Sequence, residues 1–140
     1  MAFAVLALLG AVPGLSLGAP PAEVQTVPDA EVPTVRVVSK GAAGLAIPAC
    51  RGVVWQRFDA RTSEYTPIST RPCGTMAPSL PLTDKGRSFE VDAPVRDGDV
   101  VRAVVVVGSG CATGVPFELA GCSAVVAVEG PTITVRGAKR

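Results

Sequence analysis

Residues 99–108, DVVRAVVVVG, set the strongest limit on how this chain can fold. The run is too short for a membrane-spanning helix, which needs about 20 residues, and Arg102 interrupts it. Valine's branched Cβ is restricted in a helix and packs well on a pleated surface. Asp97-Gly98 precedes the run and Gly108-Ser109-Gly110 ends it, so it reads as a central strand bounded by turns and buried on both faces. Alternation places Val101, Ala103, Val105 and Val107 on one face, expected to meet an opposing sheet. Arg102, Val104 and Val106 fall on the other.

The rest of the chain agrees with a β architecture. Gly 15 and Pro 13 in 140 residues disfavour long helices and favour frequent turns. Candidate strands cover 34–40, 52–59, 64–69, 87–93, 99–108, 123–130 and 132–137, each bounded by Gly, Pro, Asp or Ser clusters. The Pro- and Gly-rich stretch 70–86 is expected to cross between sheets, and 41–49 to be a loop. Strands this short and this regularly spaced predict an all-β chain folded as a single β-sandwich of about seven strands. A net charge of +1 gives no electrostatic basis for binding nucleic acid or anionic lipid.

The first residues, MAFAVLALLGAVPGLSLGAPP, hold a short apolar stretch broken by Pro13-Gly14 and followed by small residues. They read as a signal peptide over 1–18, although no basic residue precedes the apolar core. A Pro-rich extended arm or linker follows over 19–34, with little capacity to build a core, and the sandwich domain occupies 35–140. The mature chain is then secreted, periplasmic or at the cell surface, with no integral membrane span. Cys50, Cys73, Cys111 and Cys122 include no closely spaced pair, so disulfides in an oxidising compartment are expected rather than a metal site. If Arg61-Thr62 is the tip of the 52–69 hairpin, facing residues have numbers summing to about 123, which sets Trp55 opposite Ile68, Phe58 opposite Tyr65 and Cys50 opposite Cys73. A loop around Pro116 gives a sum of about 233 for the last two long strands and matches Cys111 with Cys122. Cys50–Cys73 and Cys111–Cys122 are the preferred pairs; a crossed pairing such as Cys50–Cys111 stays open.

The passage SFEVDAPVRDGDVVRAVVVVG, 88–108, resembles the E-to-F strand passage of fibronectin type III and related immunoglobulin-like sandwiches. VVWQRFDARTSEYTPIS, 53–69, is similar to the hairpin of that fold's third strand and its neighbour. The resemblance covers roughly residues 35–137. It implies an immunoglobulin-like strand order; the position of the corner tyrosine is Val100 here.

The chain has no histidine, so Ser-His and Cys-His nucleophile pairs cannot be built in the usual way. Asp97 and Asp99 could hold calcium or serve as a carboxylate pair, but read more simply as an Asp-Gly turn. No catalytic residue, metal ligand or cofactor is expected. Binding of a protein partner is. Leu45 and Ile47 in one apolar loop, and Val115, Phe117 and Leu119 in the loop bracketed by Cys111 and Cys122, are candidate contacts. Trp55, Arg57 and Tyr65 form a second candidate group, since Trp, Tyr and Arg dominate binding hot spots. The plainer readings are that Phe117 and Leu119 plug the end of the core and that Trp55 is a core residue. The expectation is an exported non-catalytic binding or structural module. The alternatives are a secreted enzyme inhibitor presenting loop 112–121, or a fibre subunit that assembles by strand addition through its Pro-rich arm.

Overall fold

The computed structural model describes residues 20–41, 44–69 and 78–137. The expected signal peptide and Cys73 lie outside them. Among the described residues no helix is long and apolar enough to cross a membrane.

The chain is all-β, with two antiparallel sheets forming a sandwich. The smaller sheet has the order β1–β2–β7, from Ala22–Thr26, Thr34–Ser39 and Arg87–Glu90. The larger is organised around β8, Val100–Ser109, the predicted central strand. One side of β8 carries β4, Val53–Asp59, and, beyond a turn at 49–52, β3, Leu45–Pro48. Farther out, β4 pairs with β5, Glu64–Pro67, and β3 with β6, Ser79–Leu82. The other side of β8 carries β9, Ala124–Glu129, and the two-residue β10, Ile133–Thr134.

Both predicted registers hold. Phe58 faces Tyr65, and the Ile68 N–H donates to the Trp55 carbonyl at 2.8 Å, as a sum of 123 requires. Ala124 faces Ser109 and Glu129 faces Val104, as a sum of 233 requires. Four residues, 60–63, make the first hairpin turn, closed by the Ser63 N–H donating to the Asp59 carbonyl at 2.8 Å.

The core lies between the sheets. The smaller contributes Ala22, Val24, Val35 and Val37; the larger contributes Leu45, Ile47, Trp55, Leu82, Val101, Ala103, Val105 and Val107. Full burial of a valine is worth about 1.5–3 kcal/mol, so the four inward residues of β8 anchor this interior. At its flank the Ser69 hydroxyl donates to Asp92 Oδ1 at 2.7 Å and accepts from the Trp55 N–H at 2.8 Å. That bridge ties β4 to the corner after β7.

Several expectations need correction. The segment expected to be a Pro-rich arm supplies β1, whose Ala22 and Val24 are buried and which pairs with β2 along Ala22–Thr26. Prolines flank this strand but leave AEVQT free to alternate. Residues 45–48 form β3 rather than a loop, because Leu45 and Ile47 reach the core while β6 and β8 take up the backbone. The valine strand is buried on one face only: Arg102, Val104 and Val106 are partly exposed.

Candidate protein-binding face

The pleat determines which side chains share the uncovered surface of the larger sheet. Cross-strand neighbours point to the same side. Val54 faces Val104, Gln56 faces Arg102, and Phe58 faces Tyr65. On the other side of β8, Ala127 faces Val106, Glu129 faces Val104 and Val125 faces Gly108. The outer face of β5–β4–β8–β9 is therefore a band of Phe58, Tyr65, Val54, Val104, Val106, Ala127 and Val125. Phe58 and Val125 are 38% and 53% exposed. In the middle of this band Val54, Val104 and Val106 are partly exposed.

Arg102 is the cation between the aromatic pair and the valines. Its guanidinium carbon lies 3.9 Å from the Tyr65 ring centroid, its Nε donates to Gln56 Oε1 at 2.8 Å, and Nη1 reaches Glu129 Oε1 at 3.4 Å. The Tyr65 ring in turn meets Phe58 edge-on, with centroids 5.3 Å apart. Three strands thus hold the arginine flat on the sheet, where its stem adds to the apolar surface and its charge is balanced by Glu129. A pre-ordered arginine beside two aromatic rings loses little freedom when a partner covers it.

The disulfide loop closes the opposite end. Cys111 and Cys122 are bonded. The Ala112 N–H donates to the Ala120 carbonyl at 2.8 Å, and Phe117–Leu119 form one 3-10 turn. The Ser79 hydroxyl donates to the Val115 carbonyl at 3.1 Å, which ties the loop to β6. The loop folds onto the sheet above Gly108. A Cβ there would come within 2.6 Å of Cys122 Sγ, 2.8 Å of Cys111 Sγ and 3.1 Å of Phe117 Cζ. Gly108 gives the disulfide and the ring their seat. Replacing it with alanine should destabilise the domain by about 1–3 kcal/mol in urea unfolding, and the penalty should shrink in a C111S/C122S background.

The structure divides the sequence-derived candidates. Leu45 and Ile47 are buried, as is Trp55, so none of the three can meet a partner in the folded domain. Each is an apolar side chain at an inward strand position. Arg57 is exposed but turns away from the band, toward Asp99, 3.9 Å away. Tyr65 lies in the band. Phe117 and Val115 are half-buried, and Leu119 is exposed at 62%. The loop's phenylalanine is thus spent partly on its own sheet, which leaves Leu119 as its outward apolar group. The two surfaces proposed separately, loop and hairpin, are two ends of one face, joined by Val104, Val106 and Val125. Those valines, with Phe58 and Arg102, were missed as site residues. The signal was present: a run apolar at both parities asks for a cover on both sides.

Asp99 is committed to its turn. It accepts from the Arg96 N–H at 2.9 Å, while Gly98 takes φ 91°. A groove of about 810 Å³ opens between the start of β4 and β7, lined by Cys50, Arg51, Trp55, Phe89 and Asp92 among others. Its rim includes Ser69, the last described residue before 70–77. Cys50 is itself disulfide-bonded, and its expected partner, Cys73, lies outside the described residues.

No protein-family model, curated protein or solved structure matches the chain.

Proposed function

We propose that this is an exported, non-catalytic binding module that recognises a protein partner through the outer face of its larger sheet. One observation carries the reading: β8 is apolar at both parities, yet among the described residues only one of its faces is fully buried. A row of valines beside an ordered arginine and paired aromatic rings has the composition of a recognition surface rather than of a plain solvated sheet. The Cys111–Cys122 bond suits an oxidising compartment, which supports export. The immunoglobulin-like reading draws support from strand order: β1, β2 and the E-like β7 share one sheet, and the β4–β5 hairpin and the F-like β8 share the other.

The test is capture from the native extracellular fraction with the full chain and two variants. Val104→Glu places a charge at the centre of the band without entering the core, and should weaken partner binding at least about tenfold. Leu119→Ala should leave most of the binding intact. Loss on L119A with retention on V104E would instead favour the loop, and with it the inhibitor reading. Both variants should still melt cooperatively, V104E at a somewhat lower temperature because the new carboxylate faces Glu129.

A further inference from the structure

We infer that two copies of this chain associate edge to edge through β9, continuing the larger sheet across a two-fold axis. This goes beyond the face proposed above and stands on a different observation, the backbone edge of β9.

β9 pairs with β8 on one side, and nothing among the described residues pairs with the other. The phase of the ladder identifies the groups left over. The Gly130 N–H donates to the Ala103 carbonyl and the Val106 N–H to the Gly52 carbonyl, both at 2.8 Å. Alternation then directs the backbone groups of Ala124, Val126 and Val128 toward β8, and those of Val125, Ala127 and Glu129 outward. An outward row of donors and acceptors on an apolar strand is a template for another strand.

The other edges carry their guards within the strand or are very short, whereas β9 has its one charge, Glu129, at its last residue, where β1 also comes near through Val24. β1 carries Glu23, β5 carries Glu64 and Pro67, β6 carries Pro81, β7 carries Arg87 and Glu90, and β10 is two residues long. Proline and charge are the usual means of keeping an edge single. β9 reads AVVAVE: no proline, and no charge before its last residue.

The occupant is a second copy because the strand complements itself. Antiparallel pairing about a two-fold axis matches residues of equal parity. Centred on Val126, it sets Val126 against its counterpart, Val125 against Ala127 and Glu129 against Ser123. Centred on Ala127, it sets Val126 against Val128 and Glu129 against Val125. In both registers the central pairs are apolar and no glutamate meets a glutamate. Both cover Val125 and Val126, 53% and 38% exposed in the single chain.

Sedimentation of the full chain should show the mass rising from one chain to two with concentration. Hydrogen exchange at the amides of 125, 127 and 129 should slow at least about tenfold in the two-chain species. Ala127→Pro removes an outward N–H without touching the β8 ladder, and Val125→Lys adds a guard; both should remain single chains with unchanged far-UV spectra. V104E, which tests the face, should still dimerise, so the two proposals fail separately. A chain monomeric at every concentration overturns the inference. So does a dimer that survives both edge variants with those amides unprotected. Protection appearing only when a foreign protein is added would assign the edge to another partner and overturn it too.

Discussion

Replacing Trp55 with alanine should lower the unfolding free energy by about 3–5 kcal/mol, the cost expected for emptying a fully buried aromatic site. Trp55 is 0% exposed and the largest side chain in the interior. It sits on β4 directly opposite Ala103 of β8, whose small side chain leaves room for the indole between the sheets. Most of the buried side chains in the same core are β-branched, whose restricted rotamers limit how far they can shift into the gap. Domains of this size are stable by about 5–15 kcal/mol in all, so the variant should sit near the edge of folding at 37 °C. Chemical denaturation of W55A beside Arg57→Ala makes the comparison. The second residue is exposed, two positions along the same strand, and its removal should cost less than about 1 kcal/mol. Equal losses would mean that the indole is not the keystone of this core.

The second large effect concerns the bond between Cys111 and Cys122. Removing it as C111S/C122S should cost about 3 kcal/mol, the chain-entropy value for closing a loop this short, and lower the melting temperature by roughly 10–15 °C. The strands themselves should survive. The β8–β9 register is carried by six facing pairs from Ala124–Ser109 to Glu129–Val104, none of which needs the sulfur bridge. What should loosen is the loop, which then becomes cleavable by protease between 112 and 121. The double serine variant is the right instrument because a reductant would act on Cys50 as well, which is also disulfide-bonded. Calorimetry reads the first effect and limited proteolysis the second.

Much of this architecture was legible in the chain because hairpin arithmetic is local. Tip residues and an alternating pattern are enough to set a register; Phe58–Tyr65 followed from that, and Cys111–Cys122 was preferred on it over a crossed pairing. Very short strands set among prolines were not legible. β1, β3 and β6 are four or five residues long, flanked or ended by proline, and acquire their identity only from β2, β8 and each other. Leu45 and Ile47 therefore looked like apolar residues stranded in a loop, when they are apolar because they are inside. The candidate face failed to emerge for the opposite reason. Val104 and Val106 were assigned an interior on the strength of their chemistry, and periodicity cannot say whether the cover on a face comes from the same chain.

The position of β8 has a consequence for how the protein is made. It alone joins the β4–β5 hairpin, the β3–β6 pair, β9 and β10 into one sheet. Until residue 109 has been synthesised, those preceding pieces have no common strand to dock on, and their inward residues remain without a floor. Contacts spanning such long stretches of chain form slowly, and exposed strand edges in the waiting state invite aggregation. Folding should therefore follow completion of the polypeptide rather than accompany its elongation.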